Sequence, residues 1–284
     1  LPVSWHNHVS GDHYTISEAW LDRVQEVLDY AVDDDMYVIL NIHHDTDKEY
    51  CYPDKEHLEQ SLSYMTSIWE QLAERFGDYD DHVIFESINE PRLVETEHEW
   101  WLDMNAAECV EAVECINEWN QNFVDVVRKT GGNNATRYLM VPGYDASADG
   151  VLNDKFVLPT DTAENEGKIL VSVHAYIPYH FALQAAAENE STDQFDASEK
   201  TSTNDIDQMM EKLYAKYISN EIPVVIGEFG ARDKNGNLQS RVDYAAYYIA
   251  AARAYGMSCN WWDNNAFTGD GELFGLLDRK TVTW

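Results

Sequence analysis

The sequence predicts an α/β chain of the parallel (β/α)8 TIM-barrel class. Three observations carry that expectation. Short apolar runs alternate with helical stripes along the whole chain, and no Gly-rich phosphate loop interrupts them. The polar residues also collect at the C-terminal ends of the predicted strands: Trp5-His6, His43-His44-Asp45, Asn89-Glu90, His174-Ala175-Tyr176, Glu228 and Trp261-Trp262-Asp263. That is the barrel face on which active sites are built.

The elements follow in order. Leu1-Pro2-Val3-Ser4-Trp5 reads as a strand already under way. Thr15, with Glu18 three residues on, has the form of a capping box that opens a helix with Leu21, Val24, Leu28 and Ala31 at core spacing. Residues 37–43 are the next strand, and Leu58, Leu62, Met65, Trp69, Leu72 and Phe76 then make a helical stripe stopped by Gly77. The run 83–90 is a strand ending on Glu90, followed by a long Glu- and Trp-rich helical stretch that ends near Thr130 and Gly131. Further strands are predicted at 138–141, 169–174, 224–228 and 257–262, with helices at 206–218 and 242–254 and Gly256 as a C-terminal stop. No linker, low-complexity tract or short internal repeat divides the chain, so 1–284 is expected to be a single catalytic domain.

Composition narrows the partners. Fifty-two Asp and Glu against 19 Lys and Arg give a net charge of −33. A field of that sign repels nucleic acid and anionic membranes, so neither is expected as a partner. The acids are scattered through the predicted helices (Asp22, Glu26, Glu70, Glu74, Glu111, Glu114), which reads as a solvated surface, and one adapted to high salt, where ions screen the self-repulsion. No run approaches about 18 apolar residues, the length a membrane span needs. Cys51, Cys109, Cys115 and Cys259 have no zinc-type spacing; Cys259 reads as a core thiol.

The chemistry rests on two glutamates. Glu90 follows Val83-Ile84-Phe85-Glu86-Ser87-Ile88-Asn89, and Glu228 follows Pro223-Val224-Val225-Ile226-Gly227. Two carboxylates delivered at strand ends can break a glycosidic bond, one as proton donor and the other as nucleophile or base.

With Leu-Pro-Val-Ser-Trp at the start, Asn-Ile-His-His-Asp at 41–45, Asn-Glu-Pro at 89–91, His-Ala-Tyr at 174–176, Ile-Gly-Glu-Phe-Gly at 226–230 and Trp-Trp-Asp-Asn at 261–264, the chain resembles glycoside hydrolase family 5, in its bacterial endoglucanase branch. The resemblance implies a secreted endo-acting retaining β-1,4-glucanase that needs no cofactor or metal, with xyloglucan, mannan and xylan as alternative substrates. It implies Glu90 as general acid/base and Glu228 as nucleophile. Tyr176 would donate its hydroxyl to the nucleophile, and His174 would join the acid/base network. Asn89 would bond the sugar 2-hydroxyl, and His43 would contact the −1 sugar with His44 nearby. Trp262 would stack on the pyranose, with Trp261 the less suited of the adjacent pair because alternation turns it to the other side of the strand. A retaining mechanism requires the two carboxyls about 5–5.5 Å apart, which opposite strands of a closed barrel can supply.

The family also carries an Arg just before the Leu-Pro-Val segment, a first strand and helix upstream, and a closing helix downstream. The resemblance therefore implies a truncated barrel, strands two to eight, whose open edges invite self-association. A competing reading takes His6-Asn7-His8 and His43-His44-Asp45 as ligands of a metal-dependent amidohydrolase, but it gives Asn89-Glu90-Pro91 and the Trp pair no role. A third reading is a carbohydrate-binding barrel without catalysis.

Overall fold

The computed structural model describes residues 1–269 and 271–283. The chain divides into two compact units, Leu1–Ser172 and residues 173–284.

The first unit opens with two short antiparallel strands, β1 (Val9–Ser10) and β2 (Thr15–Ile16), paired Val9 to Ile16 and Ser10 to Thr15. That pairing uses Thr15, so the expected capping box does not form. Helix α1 (Glu18–Asp33) starts instead after Ser17, whose side chain makes no capping bond. Leu21, Val24 and Leu28 face inward as the spacing predicts. There follow β3 (Val38–Asn41), α2 (Leu58–Arg75), β4 (Val83–Glu86), α3 (Ala107–Lys129), β5 (Leu139–Pro142), α4 (Ala148–Leu152) and β6 (Ile169–His174), the last two residues of which open the second unit. β3 to β6 pair in parallel in chain order, with Val38 opposite Val83, Phe85 opposite Leu139 and Leu139 opposite Ile169. Side chains from both faces of these strands are buried, which is why they read as apolar runs rather than alternating ones. The helices close the core: Trp69 of α2 packs 4.6 Å from Phe123 of α3 and 5.3 Å from Phe85 of β4. Each aromatic side chain buried in this way stabilises the fold by about 1.5–3 kcal/mol.

Three further expectations are corrected in this unit. Leu1-Pro2-Val3-Ser4-Trp5 is not a regular strand. It runs beside β3, with the Leu1 amine donating to the Ile39 carbonyl and His43 N donating to the Val3 carbonyl. Pro2 has no N–H, however, and Val3 N turns to the Asn41 side chain at 3.4 Å, so the ladder breaks. β4 stops at Glu86, four residues before Glu90. The stretch 92–106 is turns rather than helix, because Thr96 Oγ1 bonds the Leu93 carbonyl and Asp103 caps Asn105 N, side-chain bonds that compete with helix formation.

The second unit contains α5 (Tyr179–Ala182), α6 (Lys200–Lys216), β7 (Val224–Phe229), α7 (Leu238–Ala254) and β8 (Ser258–Trp261). The end of β6 meets β7 through Ala175 N donating to the Glu228 carbonyl at 2.9 Å. β7 and β8 pair in parallel, with an irregularity between Ile226 and Phe229. Tyr248 of α7 stacks on Phe229 at 4.4 Å, and Tyr244 packs edge-on to Trp261. β8 alternates exposed Ser258 and Asn260 with half-buried Cys259 and Trp261, so Cys259 is less enclosed than a core thiol. The four cysteines are free thiols. No helix among the described residues is long and apolar enough to cross a membrane.

Candidate active site

In the first unit the site residues lie where the strands end. Asn41 and Glu86 are the last residues of β3 and β4 and sit opposite one another in the ladder. Glu86 is 3% exposed and accepts from Asn41 Nδ2 at 2.9 Å and from Ser172 Oγ at 2.6 Å. A buried carboxylate without donors would cost several kcal/mol, and these two bonds offset part of that cost. The same Asn41 amide nitrogen lies 3.2 Å from His43 Nδ1. An amide NH2 only donates, so Nδ1 accepts and the neutral imidazole carries its proton on Nε2. His43 is buried, and the exposed His44 ring meets it edge-on at 4.4 Å.

Beyond Glu86 the chain stays clamped between its neighbours. Ser87 N donates to the Met140 carbonyl at 3.0 Å and Asn89 N to the Ile42 carbonyl at 2.8 Å. These bonds deliver Asn89 and Glu90 past the strand end without a regular ladder. Asn89 is buried, and its Oδ1 has no hydrogen-bond partner among the described residues. The Glu90 carbonyl accepts from Arg92 Nη1 at 2.9 Å, and the same nitrogen lies 3.9 Å from Glu90 Oε2.

In the second unit, Glu228 lies within β7 and is buried. Tyr176 donates its hydroxyl to Glu228 Oε2 at 2.6 Å, and His174 Nδ1 lies 3.8 Å from Oε1. A short bond from a hydroxyl to a carboxylate is among the stronger kinds and fixes the carboxylate's rotation. The Tyr176 ring is in turn set against Phe274 at 5.2 Å. Trp262 is half-buried, its backbone N bonded to the Phe229 carbonyl at 2.9 Å. Trp261 faces otherwise: its Nε1 donates to the Phe274 carbonyl at 3.1 Å and its ring packs on Phe229. Trp261 is thus occupied in packing.

The family profile for cellulase (glycosyl hydrolase family 5) matches residues 1–268. The chain belongs to glycosyl hydrolase family 5. Endoglucanase B of Ruminococcus albus is 42% identical over the whole chain, which covers 64% of that protein. A family 5 lichenase from Caldicellulosiruptor sp. F32, solved with cellotetraose, is 60% identical with a TM-score of 0.98, and the alignment covers all of this chain and 76% of that one. A broad-specificity endoglucanase from Ruminococcus champanellensis, solved with cellotriose, is 44% identical with a TM-score of 0.89, covering all of this chain and 77% of the other. The chain spans about 64% of the length of the Ruminococcus relative. A parallel sheet with intervening helices, matched at these scores, is the fold the sequence predicts for the (β/α)8 class.

Sequence reasoning placed Asp45 at a strand end without its partners, and missed Tyr64, Glu86 and Ser172 near this family 5 site. Asp45 is fully buried and accepts from Trp5 N at 3.0 Å, His6 Nδ1 at 2.7 Å and Tyr64 Oη at 2.7 Å. Burial, with Asp45 beside it, pushes the Tyr64 phenol well above its ordinary range, so it stays a donor. His8 stacks on Trp20 at 3.7 Å, so the two histidines of His6-Asn7-His8 serve different partners. Glu86 and Ser172 lie inside apolar runs, and a polar residue at a buried strand position was the available signal.

Proposed function

We propose that this chain is the catalytic part of an endo-acting retaining hydrolase of β-1,4-glucans, cellulose derivatives and mixed-linkage glucan first. The observation that carries the reading is Glu228, buried at the end of a family 5 strand with the Tyr176 hydroxyl 2.6 Å from Oε2 and His174 Nδ1 3.8 Å from Oε1. A carboxylate so held has its attacking oxygen aimed and cannot rotate away.

In the proposed reaction Glu90 gives its proton to the glycosidic oxygen as Glu228 attacks C1. The bond to the leaving sugar breaks and a glycosyl ester forms on Glu228. Glu90, now ionised, takes a proton from water, whose oxygen attacks C1 and releases Glu228 with the configuration retained. Asn89 Oδ1, buried without a partner among the described residues, is an acceptor suited to the 2-hydroxyl. His43 contacts the same sugar through Nε2–H, with His44 beside it, and half-buried Trp262 supplies a face for the ring. The single family match across 1–268 supports one catalytic domain.

Glu228→Ala tests the assignment. Reducing-end release from carboxymethylcellulose or barley glucan is expected to vanish, and proton NMR of wild-type product is expected to show the β-anomer first. Undiminished hydrolysis by Glu228→Ala would falsify the nucleophile role. A panel adding xyloglucan, mannan and xylan decides the polysaccharide preference.

A polymeric substrate supports an extracellular site of action, and the net charge of −33 supports function in high salt. Unfolding midpoints measured from low to molar salt are expected to rise steeply; a flat series would remove the saline reading.

A further inference from the structure

We infer that Phe274 is a positioning residue for the nucleophile, its buried ring holding Tyr176 where the phenol meets Glu228. The inference rests on the assignment of Glu228 as nucleophile, and every group it uses lies in the second unit.

Tyr176 is half-buried, and rotation about two side-chain bonds can carry its hydroxyl away from the carboxylate. The 2.6 Å bond to Glu228 Oε2 therefore depends on what keeps the ring in place. The Phe274 ring lies 5.2 Å from the Tyr176 ring, tilted by 40°, and is itself fully enclosed. Ring contact at that spacing restricts the swing of the phenol.

Phe274 also meets the chain just beyond the nucleophile. A Cβ placed on Gly230 would come within 3.1 Å of Phe274 Cδ1, closer than an ordinary carbon contact. Glycine at that position makes room for the ring two residues past Glu228. One ring thus touches both the strand end that carries the nucleophile and the residue that bonds it.

The backbone of Phe274 is tied to the same strand end. Its carbonyl accepts from Trp261 Nε1 at 3.1 Å and from Arg241 Nη2 at 3.4 Å. Arg241 is buried; its Nη2 also donates to the Gly275 carbonyl at 3.3 Å and its Nε to the Ala231 carbonyl at 2.9 Å. The Leu273 carbonyl accepts from Asp233 N at 2.8 Å. A single guanidinium and one backbone bond join the segment after β7 to the segment that bears Phe274. A nucleophile fixed in this way needs little rearrangement when substrate arrives.

The test is a double-mutant cycle on the intact protein. The readout is kcat/KM on mixed-linkage glucan and on 2,4-dinitrophenyl β-cellobioside, whose leaving group needs little acid help. Phe274→Ala is expected to lose about tenfold on both substrates, as the bond to the carboxylate is made only part of the time. Phe274→Leu refills much of the space and is expected to lose about threefold on both. In a Tyr176→Phe background each substitution is expected to cost less than about twofold, because the bond it protects is already gone. Urea unfolding checks that each variant is folded under assay conditions, and where Phe274→Ala is not, Phe274→Leu decides.

Equal losses with and without the Tyr176 hydroxyl would mean that Phe274 acts through general packing, and would overturn the inference. So would wild-type rates in both Phe274 variants, a loss confined to the glucan, or wild-type rates in Tyr176→Phe itself. Failure of the parent reading looks different: wild-type protein would hydrolyse neither substrate, or Glu228→Ala would hydrolyse both.

Discussion

Glu90 and Glu228 both follow buried apolar runs, yet their backbones are held differently. Glu228 lies within β7, where the pairing with β8 is irregular, and is enclosed; its carboxylate receives a 2.6 Å bond from Tyr176. Glu90 stands four residues past the end of β4; its backbone carbonyl accepts from Arg92 at 2.9 Å and Thr46 at 3.5 Å, and Arg92 Nη1 lies 3.9 Å from its Oε2. The first arrangement suits a group that must stay in one place as an anion while a covalent bond forms on it. The second suits a group that passes a proton to a leaving group and later takes one from water. Glu86 completes the contrast: it holds the true end of β4, bonded on both oxygens, and is structural.

The largest expected effect separates the two carboxylates chemically. In Glu228→Ala, added azide is expected to attack C1 of an activated aryl glycoside directly and yield the α-glycosyl azide. In Glu90→Ala, azide is expected to intercept the glycosyl ester and yield the β-azide. Glu90→Ala should lose about 10²–10⁴-fold on glucan and far less on 2,4-dinitrophenyl cellobioside. If both variants gave the same azide anomer, the division of roles would be wrong.

Next in size is the Tyr176 hydroxyl. Tyr176→Phe removes one bond to a carboxylate, worth about 1.5–3 kcal/mol, so kcat/KM should fall roughly 10–100-fold on glucan and aryl cellobioside alike. A loss confined to glucan would place Tyr176 on the leaving-group side instead.

Glu86→Gln is expected to act on stability rather than chemistry. It replaces one acceptor oxygen with an NH2 donor, which faces Asn41 Nδ2 donor to donor or requires the Ser172 hydroxyl to turn and accept, at a cost of about 1–2 kcal/mol read by urea unfolding. Because Asn41 also reaches His43, a modest rise in KM should accompany it.

What was legible in the sequence divides along the same line. Strands buried on both faces announce themselves as unbroken apolar runs, and the 169–174 and 224–228 assignments agree with the structure to within a residue. Glu228 was visible because its strand carries it. Glu90 was visible as chemistry, but its backbone was misjudged: the bonds that continue past Glu86 go to alternating neighbours, and no local pattern records that. The Trp- and Glu-rich stretch read as helix for a related reason. Its Glu- and Trp-rich composition reads as helix, while short Thr96 and Asp103 side-chain bonds fold it into turns. Buried polar links such as Asp45 to Tyr64 lie 19 residues apart, and spacing alone gives no sign of them.

The smallest expected effect concerns the loop beyond β7. Lys234 is 2% exposed, and its Nζ donates to the His180 carbonyl at 2.7 Å, Ser191 Oγ at 3.1 Å and the Thr192 carbonyl at 3.2 Å. Burial, helped by nearby Arg232, lowers its pKa to about 8, against the pull of Asp193 and Glu188. The unfolded chain, with a Lys pKa near 10.4, then binds more protons than the folded one between about pH 8 and 10.4, so this group makes stability rise with pH across that window. Lys234→Met keeps the stem and removes the proton. Urea unfolding at pH 7.5 and 9.5 is expected to show wild type gaining on the variant as pH rises. A gap that stays constant or narrows would mean that Lys234 keeps its ordinary pKa, its ammonium staying charged against those three oxygens across the range.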